Sequence, residues 1–404
     1  MKTLRILTSV LLLTGVTACG SAAPNEAYYQ PSIETFDFNF KEETSFQKYT
    51  EENTAYVKRH RVYFDSGNTD VELSRITPYE LPVPPGCDTK PSRGALLVHG
   101  ISDTTHSLKD IAEFLNSECV LIRAMLLPGH GTRPGDLLQI TKEKWIEAVD
   151  FGIRSLKNEV DHVYVVGFSL GGLLATHAAT NHTDLSGLVL LSPSLHVVYS
   201  PLVWQTRWLR YVRDWVDIDP NASPVRYHSM PTNGLAELME LRSKTISSLR
   251  REKGLKPPVF AMLAEHDVSV NSRKTLEVLH AASSHEKSKF IYYGNRDKSR
   301  IEDNRTEYRN AYLPDLKILN FSHVAFPYSP ENPLFGENGE IKECGENIGV
   351  IDKEEAEACL EADHPWKGEL GSTNDAKYLP LQRLTYNPDF TRMTSDILSF
   401  INLQ

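Results

Sequence analysis

The chain has 404 residues, of which 40% are hydrophobic and 24% are charged, and its formal net charge is -10. This composition is that of a folded globular protein with a full-sized core. The excess of acidic residues argues against a nucleic-acid partner and against a strongly basic membrane-binding surface.

The first predicted element is an export signal over residues 1–18. It begins with Lys2 and Arg5, continues as a short apolar run and ends in small residues before Cys19. The run is too short for a good transmembrane helix and is typical of a secretion signal. "VTAC" resembles the lipobox of bacterial lipoproteins, in which the cysteine is lipidated, and Gly20 resembles the pattern for outer-membrane sorting. We therefore expect lipidation at Cys19 and a location in the cell envelope, at the periplasmic side of the outer membrane; an ordinary cleaved signal is the alternative.

Four further cysteines follow, Cys87, Cys119, Cys344 and Cys359. An even number in an exported protein favours disulfides. Cys344 and Cys359 are close in one polar segment, and Cys87 and Cys119 each precede a predicted strand. We predict the pairs 87–119 and 344–359, with free buried thiols as the alternative.

The middle of the chain predicts a parallel sheet covered by helices on both faces. Residues 19–55 are polar without a clear period and are interpreted as a tether, and strand signals begin at "AYVKRHRVYFD". Short apolar runs then alternate with amphipathic helical patterns, which is typical of βαβ units. The predicted core comprises residues 56–195 and 256–404, and its last strand is expected at "LKILNF".

Two insertions interrupt this alternation. Residues 196–255 have helical spacing and no strand signal, and we interpret them as a helical cap. The aromatic side chains of "LVWQTRWLRYVRDWV" are expected to pack on the core, with contact to lipid as the alternative. The second insertion, residues 327–378 approximately, is polar and acidic, and we call it the acidic insertion. It predicts a solvated loop closed by a disulfide, and calcium binding is the alternative. A final helix is predicted over residues 390–403.

The segment "GFSLG" carries the strongest chemical signal. Gly167, Ser169 and Gly171 fit the pattern Gly-X-Ser-X-Gly, which is weak by itself. Here an apolar strand leads in and a helical pattern leads out, as a nucleophile elbow requires. The turn is so tight that the neighbours of the serine must lack side chains, and the following helix favours negative charge at the site.

A serine nucleophile needs a base, and the base needs an orienting carboxylate. In this arrangement the chain order is serine, acid, histidine. "VFAMLAEHD" ends in Asp267, which we favour over Glu265 as the acid. His323 follows the apolar run "LKILNF" and is favoured over the other histidines as the base.

The oxyanion of an acyl-transfer reaction needs backbone donors. The N–H of Leu170, directly after the serine, is one expected donor. The second is expected in the loop after "LLVHG", where Ile101 follows Gly100, a residue that lets the backbone approach a substrate closely.

Together these motifs resemble an α/β-hydrolase of the carboxylesterase and monoacylglycerol lipase group, within the wider serine aminopeptidase-like family. The resemblance is carried by "LLVHGISDTTHSLKDIAEFL", "LPGHGTRPGDL", "GFSLGGLLA", "AEHD" and "FSHVAF". It implies the α/β-hydrolase fold, a mostly parallel doubly wound sheet with a helical cap insertion. The chain departs from the family at its N-terminus, in the spacer before "LKILNF" and in the acidic insertion.

The resemblance implies a serine hydrolase that cleaves carboxylic esters, either monoacylglycerol or short- and medium-chain acyl esters, through an acyl-enzyme. No cofactor or metal is implied, and the expected partners are a small acyl ester or lipid and the membrane that holds the anchor. A peptidase, thioesterase or acyltransferase with the same triad is an alternative. A non-catalytic envelope lipoprotein is another, because a fold does not fix a function.

Overall fold

A computed structural model describes residues 26–40, 44–64, 67–88, 90–198, 200–219, 223–295, 301, 303–344 and 353–403. The export signal expected over residues 1–18 and the lipidation expected at Cys19 lie outside the described residues. Within the described ranges, no helix has both the length and the apolar character needed to cross a bilayer.

The strands of the described chain are numbered in chain order. They are β1 Tyr79–Leu81, β2 Arg93–Val98, β3 Leu121–Met125, β4 His162–Phe168, β5 Gly187–Leu191, β6 Trp215–Asp217, β7 Met230–Pro231, β8 Val259–Ala264, β9 Lys289–Tyr293, β10 Thr306–Arg309, β11 Trp366–Gly368 and β12 Leu381–Arg383. Eight of them form one sheet in the order β1-β3-β2-β4-β5-β8-β9-β10. Only β1 is antiparallel to its neighbour, β3.

Helices cover both faces of this sheet. They are α1 Phe46–His60, α2 Thr69–Ile76, α3 Lys109–Ser117, α4 Lys142–Lys157, α5 Leu170–Ala178, α6 Ser200–Leu209, α7 Thr232–Arg251, α8 Ser272–Ala282, α9 Lys353–Glu361 and α10 Phe390–Asn402. Short 3-10 helices span Glu26–Tyr29, Thr105–Leu108, Pro134–Leu138, Pro314–Leu316 and Ala376–Tyr378. Alternate residues of each strand enter opposite apolar layers: Val165 joins the layer of α4 and α5, and Val166 that of α3 and α10. The predicted fold class is confirmed.

The segment interpreted as a tether packs onto the core over its described part. Phe38, Phe46 and Tyr49 are buried, and the ring of Phe38 lies 5.6 Å from that of Phe151 on α4. The Tyr49 hydroxyl donates to the Leu126 carbonyl at 2.7 Å. The tether prediction is wrong for these residues. Their aromatic side chains pack on α4, which flanks the sheet, but their irregular spacing in the sequence gave no helical or strand pattern. The strand signals at "AYVKRHRVYFD" are also wrong, since α1 continues to His60.

The last strand of the eight-stranded sheet lies before the predicted one in the chain. β10, Thr306–Arg309, pairs with β9 at the sheet edge, in the spacer before "LKILNF". The apolar run "LKILNF" therefore lies beyond the sheet. Ile318 within it is fully buried and forms isolated bridges to Leu313 and to Lys367 of the acidic insertion.

The cap combines two helices with a short hairpin. α6 ends at Leu209, and β6 pairs with β7, so the predicted aromatic helix is only partly formed and the absence of strands is wrong. The expectation that its aromatics pack on the core is also wrong for several of them: Trp208 is 67% exposed and Tyr211 is 72% exposed. α7 instead packs on α5, directly behind the predicted nucleophile.

The acidic insertion is more than a solvated loop. Tyr328, Phe335, Glu343 and Glu369 within it are buried against the rest of the molecule. Two disulfides are formed in the structure, Cys87–Cys119 beside β2 and β3 and Cys344–Cys359 within the insertion. The sequence prediction missed the buried face of this segment because most of its residues are charged or polar.

Candidate active site

Ser169 lies on a strained turn between β4 and α5. Its φ of 53° and ψ of -111° are a conformation that residues with side chains rarely adopt. A Cβ on Gly167 would lie 2.4 Å from the Gly171 carbonyl oxygen, and one on Gly171 would lie 1.9 Å from the Val98 carbonyl oxygen. The two glycines are therefore required by the close approach of the turn to itself and to β2.

Ser169, His323 and Asp267 form one hydrogen-bonded chain. His323 Nε2 lies 3.0 Å from Ser169 Oγ, and His323 Nδ1 lies 2.7 Å from Asp267 Oδ2. A carboxylate only accepts, so Nδ1 carries the hydrogen and Nε2 accepts from the serine hydroxyl. All three residues are buried, which strengthens their electrostatic interactions. The structure thus brings together the three residues that the sequence singled out.

Asp267 is fixed by its own turn. Its Oδ1 accepts the backbone N–H groups of Ser269 at 2.8 Å and Val270 at 2.7 Å, which leaves Oδ2 for the histidine. The rival carboxylate, Glu265, instead accepts the N–H of Asn295 at 2.6 Å, beyond the end of β9. The two acids of "AEHD" therefore face different parts of the molecule, and Asp267 is the one beside His323.

The backbone of His323 is held by a carboxylate that the sequence prediction missed. The His323 N–H donates to Glu369 Oε2 at 2.7 Å, and Glu369 is 0% exposed. Glu369 belongs to the acidic insertion and is 46 residues away along the chain. No local pattern distinguishes it from the other acids of that segment, so the sequence alone carries no signal for it.

Ser194 is a second residue that the sequence prediction missed. Its hydroxyl oxygen lies 3.1 Å from Ser169 Oγ, and its N–H donates to the Ser169 carbonyl at 3.0 Å. It follows β5, the strand beside β4. Because parallel strands end at the same edge of the sheet, the position of Ser194 just after an apolar strand was the available signal.

The two predicted oxyanion donors come from neighbouring segments: Leu170 directly follows Ser169, and Ile101 follows Gly100, whose added Cβ would lie 3.3 Å from Ser169 Cβ. Neither Ile101 nor Leu170 donates its N–H to an acceptor among the described residues. Leu170 is the first residue of α5, where backbone N–H groups are left without helical partners. The Ile101 loop is rigidly held: Ser102 has φ 62°, its N–H donates to His130 Nε2 at 3.2 Å, and its carbonyl accepts from Tyr227 of the cap.

Two buried histidines brace this loop. His99 Nε2 accepts the Leu127 N–H at 3.0 Å, and its Nδ1 lies 2.8 Å from the Gly100 carbonyl. Burial holds the pKa of His99 well below its usual range and lowers the pKa of His130 to about 4, so both rings are neutral at pH 7. We call residues 100–104 the oxyanion loop. The "PGHG" motif thus supplies, through His130 Nε2, the acceptor for the Ser102 N–H of this loop.

A buried carboxylate from the same loop, Asp103, interacts electrostatically with His323. Burial raises the pKa of Asp103 to about 6, and the Arg226 guanidinium and the His323 ring oppose this rise. Arg226 belongs to the cap and pairs with buried Glu343, with its guanidinium 4.6 Å from the Phe335 ring. The site is therefore enclosed by the cap on one side and by the acidic insertion on another.

The sequence pattern of the alpha/beta hydrolase family matches residues 95–276. That range includes Ser169 and Asp267 and ends before His323. A thermostable monoacylglycerol lipase from Bacillus sp. (strain H-257) is 29% identical over 163 residues, which are 39% of this chain and 65% of the lipase. The match therefore spans slightly less than two thirds of that relative's own length.

Other similar proteins are esterases and lipases. A carboxylesterase from Bacillus subtilis (strain 168) is 25% identical over 189 residues, 45% of this chain and 74% of the relative. The solved structure of a monoacylglycerol lipase from Paleococcus ferrophilus is 18% identical, covers 54% of this chain and 88% of its own, and has a TM-score of 0.44. The chain has the α/β-hydrolase fold and resembles the carboxylesterase and monoacylglycerol lipase group of that superfamily.

Proposed function

We propose that this protein is a serine hydrolase that cleaves carboxylic esters through an acyl-enzyme intermediate. The observation that carries this proposal is the continuous hydrogen-bonded chain from Ser169 Oγ through the His323 ring to Asp267. A buried serine, a histidine and a carboxylate in this order are the parts that activate a hydroxyl for attack on a carbonyl. The similarity to relatives named as lipase and carboxylesterase supports an ester as the substrate.

In the acylation step, Ser169 Oγ attacks the ester carbonyl while His323 Nε2 takes the hydroxyl proton. Asp267 holds the ring through Nδ1 and stabilises the imidazolium that forms. The N–H groups of Ile101 and Leu170 donate to the oxyanion. His323 then gives its proton to the departing alkoxide, and the alcohol leaves.

Deacylation repeats this chemistry with water. A water molecule takes the place of the alcohol, and His323 removes its proton as it attacks the acyl carbon. The second oxyanion collapses and Ser169 leaves with the proton from His323, which regenerates the resting site. The catalytic groups of both steps are side chains and backbone N–H groups of this chain, and water is the second substrate.

The proposed substrates are monoacylglycerols or short- and medium-chain acyl esters. The names of the relatives support this choice, and so does the burial of Ser169 and His323 beside a loop that contacts the cap, where the Ser102 carbonyl accepts the Tyr227 N–H. An enclosed site with a few polar groups is typical of pockets that take one small amphipathic ligand.

The test is hydrolysis of p-nitrophenyl esters, from acetyl to palmitoyl, by the purified chain and by Ser169→Ala. We expect hydrolysis by the parent and a loss of kcat on the order of 10⁵–10⁶-fold in the variant, because the nucleophile is removed. The chain-length profile measures the size of the acyl pocket. Ser155→Ala on α4, where the hydroxyl only bonds to the Gly152 carbonyl, is the matched control and should retain full activity.

Two results would contradict the proposal. A folded parent that hydrolyses no ester of the series would redirect the assignment to amides, thioesters, acyl transfer or binding without catalysis. Full esterase activity in Ser169→Ala would remove the serine from the mechanism, whatever the chain-length profile.

We also propose that the protein is anchored to the cell envelope through lipidated Cys19, on the sequence pattern "VTAC" alone. Expression in a bacterial host should yield a membrane-fraction protein whose N-terminal peptide carries acyl chains by mass spectrometry. Cys19→Ser should leave a protein without acyl chains. Detection of an unmodified N-terminus other than Cys19 in the parent would contradict the proposal.

A further inference from the structure

The acidic insertion brings one fully buried carboxylate to the catalytic histidine. Glu369 directly follows β11, and its Oε2 accepts the His323 N–H at 2.7 Å. Its own N–H donates to the Asn320 side-chain oxygen at 2.7 Å. The side chain and the backbone of Glu369 are therefore both bonded to the short segment 320–323 that ends in the histidine.

The second oxygen of Glu369 faces a cation. Arg383 Nε on β12 lies 3.0 Å from Glu369 Oε1, as an ion pair in which the N–H is not aligned for a hydrogen bond. Arg383 in turn donates its backbone N–H to the Glu343 carbonyl at 2.9 Å, and the Glu343 carboxylate contacts Arg226 of the cap. Both oxygens of Glu369 meet a donor or a cation, and these contacts stabilise the carboxylate against the cost of its burial.

Two carboxylates therefore hold His323 from different sides. Asp267 accepts from Nδ1 and Glu369 accepts the backbone N–H, while the charge of Asp103 on the loop after β2 interacts with the His323 ring. Burial raises the pKa of Glu369 above its usual range, Arg383 and the His323 N–H oppose this rise, and the negative charge of Asp267 adds to it. The charges of Glu369 and His323 also interact, so an anion at this position favours the imidazolium.

We propose that Glu369 is a positioning residue for His323, an inference that rests on the proposed serine hydrolase function. Its hydrogen bond fixes the backbone from which the imidazole projects toward Ser169 and Asp267. Its negative charge stabilises the imidazolium that forms when the histidine takes the serine proton. The acidic insertion thereby completes the active site, in addition to enclosing it.

The test compares pH profiles of kcat/KM for the wild type and Glu369→Gln with one p-nitrophenyl ester. The glutamine keeps the size and an acceptor oxygen but removes the charge. We expect kcat to fall roughly tenfold with KM nearly unchanged, because small displacements of a catalytic group are costly. The acid limb of the profile, where kcat/KM falls as the pH is lowered, should move to lower pH by roughly half to one unit. The reason is that the His323 imidazolium loses a stabilising anion.

Two further variants isolate the charge. Glu369→Asp keeps the anion with a shorter side chain, so its kcat should fall while its acid limb stays at the wild-type pH. Glu340→Gln is the matched control, because Glu340 is an exposed acid of the same insertion, and both its kcat and its acid limb should equal those of the wild type.

An acid limb in Glu369→Gln that coincides with that of the wild type would overturn the inference, and so would equal shifts in Glu369→Asp and Glu369→Gln. If circular dichroism shows that Glu369→Gln does not fold, Glu369→Asp decides: a displaced acid limb or a wild-type kcat overturns the inference.

The wild-type profile is recorded first. An inert wild type overturns the proposed function and the inference with it, whereas an active wild type with an unchanged glutamine variant overturns the inference alone.

Discussion

Asp267→Asn is expected to lower kcat for ester hydrolysis by about 10⁴-fold without unfolding the protein. The asparagine side chain fits the same turn, and its carbonyl oxygen can still accept the N–H groups of Ser269 and Val270. Its amide then faces His323 Nδ1 as a donor. The imidazole must therefore present an acceptor at Nδ1 and a hydrogen at Nε2, where it can no longer accept the proton of Ser169. Steady-state kinetics and thermal melting check this result together.

Glu265→Gln is the matched control for this substitution. Glu265 stands two residues before Asp267 and accepts the Asn295 N–H, a bond that glutamine can keep. We expect its kcat to stay within about threefold of the parent, because it does not contact the histidine. A large loss of kcat in Glu265→Gln together with a small loss in Asp267→Asn would reverse the assignment of the acid.

Gly171→Ala is expected to prevent formation of the nucleophile elbow. The added Cβ would lie 1.9 Å from the Val98 carbonyl oxygen and 2.8 Å from that of His99. Both atoms are backbone of the strand end that leads to the oxyanion loop, so no side-chain rotation relieves the overlap. We expect the free energy of unfolding to fall by more than about 4 kcal/mol, or the protein to be recovered unfolded, as measured by urea denaturation. Any folded fraction should be inactive, because the helix and the strand end cannot keep their spacing.

Gly234→Ala provides the control for a glycine in a helix. The nearest atoms to its added Cβ are 3.6 Å away, which is ordinary contact distance. Because alanine favours the helix over glycine, this variant should be as stable as the parent or more stable, by up to about 1 kcal/mol. Equal stability of Gly171→Ala and Gly234→Ala would contradict the packing described for the elbow.

The parts of the site that sequence alone predicted are those set by local patterns. Ser169 lies between an apolar strand and a helix, with glycines at the two positions where a side chain would overlap backbone. Asp267 closes the turn directly after β8. In both cases the strand is buried on both faces, so its sequence is a continuous apolar run, and the functional residue follows within three residues of its end.

His323 lies beside Ser169 and Asp267, but the sequence argument that singled it out was partly wrong. The run "LKILNF" is apolar because Ile318 is buried beside Lys367 of the acidic insertion and Phe321 is buried against Tyr293, and it is not a strand of the sheet. The actual edge strand, β10, reads "TEYR". Edge strands bury less apolar surface than central strands, so a polar sequence of four residues gives little signal.

The remaining errors concern contacts between residues far apart in sequence. Phe38 and Tyr49 are buried against Phe151, about a hundred residues away along the chain. Residues 19–55 have no periodic apolar pattern from which this contact could be predicted. Glu369 is one acid among many in the insertion until the fold places it behind His323. Such positions depend on tertiary packing, which local patterns do not encode.

The central claim is that Ser169 is an activated nucleophile, and labelling by a fluorophosphonate tests it most directly. The folded chain is incubated with the probe, and the adduct is located by mass spectrometry of the intact protein and of its peptides. We expect one adduct per chain, on Ser169, and none in Ser169→Ala. A folded chain that takes up no probe, or an adduct that persists in Ser169→Ala, would contradict the account.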